Sequence, residues 1–206
     1  MLTTCQKVST RVGAWSAPRG DIMRTRNARS AATVEAGYTL IDLLFIVALI
    51  GLLSTLAMPG LMRARVAAQA GSAVGTMRLI NGAQLSYAIT CGLGFYAPDL
   101  PTLGVKPAGA PEAFLPSDLS ADLTVYKGGY NFSMALTPLA GAPATCNGVA
   151  AGQTGPGYAL VADPLDKTPT ARYFGTNADG VLYQHSASLA ATMPEAGSPP
   201  AGEPIK

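Results

Sequence analysis

Apolar and polar positions divide the chain into three parts. Residues 1–36 are polar and basic and show no hydrophobic period, which reads as a leader rather than folded structure. From Tyr38 to Met62 the chain runs YTLIDLLFIVALIGLLSTLAMPGLM, with Asp42 its only charge. Between Leu43 and Met58 nothing is more polar than Ser54 and Thr55. About 20 apolar residues in a helix cross a hydrocarbon core, so 38–62 reads as a membrane span. The alternative is a buried core helix, but a chain of 206 residues has little interior in which to hide one that is apolar all round.

Beyond Met62 the pattern changes. Val66, Ala70, Ala73, Met77, Ile80, Ala83 and Tyr87 recur at spacings of three and four, one apolar stripe of an amphipathic helix. Arg65, Gln69, Ser72, Thr76 and Asn81 fall off that stripe. The reading is therefore one long helix from Tyr38 to Ile89, with 38–62 in lipid and 63–90 seeking a partner. Pro59 and Gly60 stand between the halves, and Pro59 lacks a backbone donor, which predicts a kink or local melting there. Cys91-Gly92-Leu93-Gly94 ends the helix.

From Phe95 glycine and proline become frequent and short strand-like runs appear, at Leu123–Lys127, Gly129–Leu136, Gly157–Ala162, Ala171–Phe174 and Val181–Gln184. Tyr130, Phe132, Met134 and Leu136 alternate with other residues, as do Tyr158, Leu160 and Ala162. The economical arrangement is α+β: an antiparallel sheet with one face against the amphipathic half of the helix. Pro107–Pro116 and Gly141–Pro156 read as loops. The globular domain is expected over residues 91–193, and 194–206, with the sequence PEAGSPPAGEPIK, as a flexible tail.

Charge sharpens this picture. The leader, 1–37, holds Lys7, Arg11, Arg19, Arg24, Arg26 and Arg29 against Asp21 and Glu35, a balance of +4 where the whole chain is +2. The basic character belongs to that segment alone, so it carries no argument for nucleic-acid binding. Only Arg63 and Arg65 follow the span closely. The positive-inside bias thus places the amino terminus in the cytoplasm and the remainder outside. No A-x-A site is evident beyond the apolar stretch, so the span is expected to stay with the mature protein. With Cys5 in the leader, Cys91 and Cys146 are left in an exported domain. They read as one disulfide, the alternative being two buried free thiols.

The segment Gly37-Tyr38-Thr39-Leu40-Ile41-Asp42, followed by the apolar run and Pro59, resembles the processing site and helix of type IV pilins and type II secretion pseudopilins. Tyr130-Asn131-Phe132, Arg172-Tyr173-Phe174 and Asp179-Gly180-Val181-Leu182 are similar to sheet segments of that group. The resemblance implies that a prepilin peptidase cuts between Gly37 and Tyr38 and that the new amine of Tyr38 is N-methylated. It implies a subunit held in the bacterial inner membrane until an assembly platform and its ATPase extract it into a filament of self-associated and other pilin-like subunits. Tyr38 stands where the family usually has Phe, and Asp42 where it has Glu. In the family that acid pairs with an N-terminal amine. A carboxylate costs about 2.5–3.5 kcal/mol at the centre of a membrane helix, so an acid in this segment is a functional candidate. The helix dipole also favours it in the first turn. Family leaders are commonly short, which makes Met23 a candidate start beside Met1.

Catalytic chemistry is not legible. His185 is the one histidine, and no GxSxG, HExxH, Walker or CxxC pattern occurs. Some major pseudopilins hold calcium in a C-terminal loop. Here Asp163, Asp166 and Asp179 fall in different loops without an EF-hand pattern and read as turn formers. No cofactor or metal is expected, and any enzyme chemistry belongs to partners. The competing reading is an uncleaved, membrane-anchored periplasmic binding module.

Overall fold

The structure is a computed structural model and describes residues 39–168 and 170–205. Gly37 and Tyr38 lie outside them.

Helix α1 covers Leu40–Thr90. Its carboxy-terminal half follows the expected stripe, with Ala73, Met77, Ile80, Ala83 and Tyr87 all buried. Two departures are informative. Thr76 is buried rather than off the stripe, and Gln84 is fully buried. Asn81 is half-buried and faces the domain: its Nδ2 donates to Thr176 Oγ1 at 2.9 Å, and its Oδ1 accepts from Tyr158 Oη at 2.9 Å. A helix face is read from apolar spacing, and Gln84 and Asn81 are drawn into this one because they find partners across the interface. The helix ends where Cys91-Gly92-Leu93-Gly94 predicts. Leu93 has φ 51° and Gly94 φ 94°, and the Gly94 amide bonds back to the Ala88 carbonyl at 2.9 Å. This is a left-handed termination that glycine accepts without steric cost.

A short helix, α2 (Leu100–Gly104), follows. Asp99 caps it, its Oδ1 accepting from the Thr102 amide at 2.9 Å, and Leu100 and Leu103 point into the core. Gln84 fastens this region to α1. Its Nε2 donates to the Ala97 carbonyl at 3.0 Å and its Oε1 accepts the Ala97 amide at 2.9 Å. Replacing Gln84 with leucine keeps the volume but strands both backbone groups out of water. That variant is expected to lose about 1–3 kcal/mol of stability, read as a lower thermal midpoint in the near-ultraviolet circular dichroism of the detergent-solubilised chain.

Six strands form one antiparallel sheet in sequential order: β1 (Thr124–Lys127), β2 (Tyr130–Ala135), β3 (Ala159–Pro164), β4 (Tyr173–Asn177), β5 (Leu182–His185) and β6 (Glu203–Pro204). The first five correspond to the runs legible in the sequence. β3 and β4 extend further toward the carboxy terminus than those runs, into Asp163-Pro164 and Gly175-Thr176-Asn177. The register aligns Phe132 with Ala162 and Ala162 with Phe174, and Leu160 with Thr176 and Thr176 with Leu182. With the buried stripe of α1, Phe132, Leu160, Ala162, Phe174 and Leu182 make one hydrophobic core. The alternation of the strands is thereby explained: one face meets the helix. The other face is covered too. Ala159, Val161 and Tyr183 pack with Leu189 and Met193 from the segment after β5. Gly175 permits this close approach, since a Cβ there would stand 2.9 Å from Met193 Sδ and 3.0 Å from Leu189 Cδ1.

The segment 194–206, expected as a flexible tail, is a docked strap over its described length. Asn177 Nδ2 donates to the carbonyls of Pro194 (3.2 Å) and Gly197 (2.6 Å), and Asp179 Oδ2 accepts the Gly197 amide at 2.7 Å. β6 then pairs with β5, and Ile205 packs on the main core. Proline and glycine lower the local propensity for a strand, but side-chain acceptors and donors at Asn177 and Asp179 supply the anchoring that composition conceals.

Burial also fixes the titration of three phenols. Tyr158, Tyr87 and Tyr130 all have pKa values raised above the usual 10.0 by desolvation, Tyr158 furthest. The folded state therefore prefers the neutral phenol. Its contribution is complete below the unfolded value and fades as pH rises through the folded value. Thermal midpoints are expected to hold up to about pH 10 and fall above it, and Tyr158→Phe is expected to flatten part of that fall.

Candidate functional site: the amino-terminal half of the long helix

The helix begins at a reciprocal cap. Thr39 is the residue before α1 and Asp42 lies in its first turn. Asp42 Oδ2 accepts from Thr39 Oγ1 at 2.7 Å and from the Thr39 amide at 3.2 Å, while the Asp42 amide reaches Thr39 Oγ1 at 3.4 Å. This is the geometry of a capping box with Asp in the place of Glu. The sequence carried the signal in the spacing T-x-x-D, yet Thr39 was not singled out there. The same carboxylate remains exposed, and Oδ1 takes no hydrogen bond from the described residues. One oxygen is engaged in capping, and the other has no partner among the described residues.

The apolar stretch that follows has no protein cover. Its most apolar 18-residue window has a mean hydropathy of 2.5 and none of it is buried. Leu43, Phe45, Val47, Ile50, Leu53 and Leu56 are exposed on every side of the helix. A soluble domain does not leave so large an apolar surface bare. The two hydroxyls within it turn inward to the backbone, Ser54 Oγ to the Ile50 carbonyl and Thr55 Oγ1 to the Leu52 carbonyl, both at 2.7 Å. Both hydroxyls are thus answered within the helix rather than presented to a lipid. The helix is long and apolar enough to cross a membrane, which is compatible with membrane anchoring.

Pro59 sits inside the helix, and the helical turns run through it without interruption. Of the two expectations at Pro59, a kink or local melting, the continuous helix excludes the melting. Helical residues on both sides hold the ladder, and the missing Pro59 donor leaves only the Thr55 carbonyl without its usual partner.

Cys91 and Cys146 form a disulfide, 55 residues apart in sequence. It ties the loop before β3 to the end of α1. The Cys146 amide also bonds to the Cys91 carbonyl at 3.4 Å, and Asn147 Nδ2 donates to the Thr102 carbonyl at 2.9 Å. The free-thiol alternative is excluded.

The remaining candidates are dispersed. His185 ends β5 and its Nδ1 accepts from the Ala187 amide at 3.1 Å. Asp163 accepts from Ser188, and Asp179 holds the strap at Gly197. Among the described residues no three His, Cys, Asp or Glu side chains gather where they could hold a metal ion. Compared with models of known protein families, with curated proteins and with solved structures, the chain matches none.

Proposed function

We propose that this chain is a structural subunit of a helical filament built from the bacterial inner membrane, of the type IV pilus or type II secretion pseudopilus kind. One observation carries the reading. A single helix has a bare apolar half headed by one carboxylate, Asp42, and a second half closed into a disulfide-bonded sheet domain. Such a division suits a subunit that is stored with its apolar half in lipid and later exchanges lipid for the same half of neighbouring copies. Both environments are apolar, so extraction into a filament need not expose that surface to water.

In this reading prepilin peptidase cuts after Gly37, Tyr38 becomes the methylated amino terminus, and Asp42 Oδ1 takes up an amine. The amino terminus faces the cytoplasm before processing and the sheet domain stands outside. An assembly platform and its ATPase extract the subunit, and the chain has no catalytic step of its own. Mass spectrometry of the amino-terminal peptide, taken from membranes and from sheared surface filaments, tests this. A chain beginning at N-methylated Tyr38 in the sheared fraction is the result for a surface pilus. The same peptide confined to membranes points to a pseudopilin or a minor subunit. Residues before Gly37 retained in both fractions would overturn the proposal in favour of an anchored periplasmic binding module.

A further inference from the structure

Where the apolar run gives way to the amphipathic half, α1 does not lie flush on the sheet. A groove of about 650 Å³ opens between them, with Val66, Gly71 and Val74 on the helix wall and Phe174 and Ile205 on the sheet wall. That volume falls within the range of about 300–1,000 Å³ common to ligand sites. Gly71 contributes to the space, because a Cβ there would meet nothing within 4 Å. Two arginines, Arg63 and Arg172, also line it. Arg172 Nη1 has a single side-chain partner, Gln184 Oε1 at 3.3 Å. Among the described residues neither arginine has a carboxylate within ion-pair distance, the one ion pair being Lys127–Asp118.

Position along the chain identifies what this groove meets. Met62 is the last residue of the apolar run and itself lines the groove, and Arg63 is the next residue. The opening therefore begins at the level where the helix leaves the hydrocarbon. An apolar slot beside two cations without an ion-pair partner among the described residues, at that level, is complementary to one molecule type: an amphiphile with an acyl chain and a phosphate. We infer that the groove takes an acyl chain of an anionic phospholipid, drawn out of the bilayer beside Met62, with its phosphate held between Arg63 and Arg172. Arginine presents a planar fork that matches phosphate, and anionic headgroups gather at basic residues beside a span. The bound lipid would cover apolar side chains that otherwise face water in the membrane-stored subunit. This inference rests on the membrane-anchored reading above and not on filament formation.

The test uses the full chain in phosphatidylcholine vesicles containing a minor fraction of phosphatidylglycerol with a photoactivatable diazirine in its acyl chain. Trypsin separates the walls of the groove: Val66–Arg78 carries the helix side, and the peptide beginning at Tyr173 carries the sheet side. Labelling of both is expected, together with the span peptide ending at Arg63. Gly71→Leu, which fills open space, is expected to abolish the label after Arg172 while leaving the span label and the disulfide intact. In Arg63→Gln with Arg172→Gln the sheet-side peptide begins instead at Thr168 and the span peptide ends at Arg65; the sheet-side label should fall to the level given by an equivalent phosphatidylcholine probe. Label confined to the span peptide would overturn the lipid site while keeping the anchor. Equal groove labelling by both probes in the unaltered chain would overturn the anionic headgroup. Absence of label even in the span would remove the membrane reading beneath the inference.

Discussion

Filaments are expected to disappear when Asp42 is replaced by either alanine or asparagine, while the chain still enters the membrane and its sheet domain still folds. The pair of variants separates two roles that one carboxylate carries. As a cap, Asp42 answers Thr39 through a single oxygen, at 2.7 and 3.2 Å. Asparagine retains that acceptor, and the loss of a cap altogether costs only about 1 kcal/mol, little to a helix of 51 residues. As a charge, Asp42 has a second oxygen with no hydrogen bond among the described residues, at the end of an apolar segment where an ion needs a counter-ion. Insertion itself is not endangered, since removing a charge makes transfer into lipid easier. Electron microscopy of sheared material, with membrane fractionation as the control, reads both outcomes. Normal filaments from the asparagine variant would assign Asp42 to capping alone. Normal filaments from the alanine variant would remove it from assembly.

The second large effect belongs to the disulfide. Replacing Cys91 and Cys146 together by serine is expected to cost about 4 kcal/mol for a closed loop of this length on the chain-entropy account. The 55-residue separation between the cysteines encloses α2, β1 and β2, so the unfolded chain gains freedom over half the sheet domain. The effect should concentrate in the loop before β3, where Asn147 holds the Thr102 carbonyl and Thr145 Oγ1 donates to Asn147 Oδ1 at 2.7 Å. Hydrogen exchange in that loop is expected to accelerate before exchange in β2 to β4. A thermal midpoint indifferent to a reducing agent would contradict the assignment of so much stability to this link.

Much of the fold is legible in the residues because period and burial agree. The stripe from Val66 to Tyr87 fixes the helix face, and the alternation of Tyr130 with Phe132 and of Leu160 with Ala162 fixes the sheet face it meets. What stays hidden shares a physical cause. Gln84, Asn81 and Thr176 are polar by composition and drawn into the interface by partnership, and a partner distant in sequence leaves no local trace. The strap from Pro194 to Ile205 is the same case at the scale of a segment. Its residues argue for disorder, and Asn177 and Asp179, nearly twenty positions earlier, hold it in place. The cap at Thr39 differs: T-x-x-D is local and legible, and Asp42 within it serves both the cap and the charge. The processing point at Gly37 and Tyr38 rests on the sequence alone.

The two borders of the sheet bear on how copies of this chain can meet. β6 is two residues long, contains Pro204 and carries Glu203, and β1, at the opposite border, is four residues ending in Lys127. Proline offers no amide to an incoming strand, and short, charged margins discourage one from adding. The sheet is thereby closed to growth by strand exchange. Side-by-side fusion of copies into amyloid-like ribbons is likewise discouraged, and under the filament function proposed above the helix is left as the surface for ordered contact between copies.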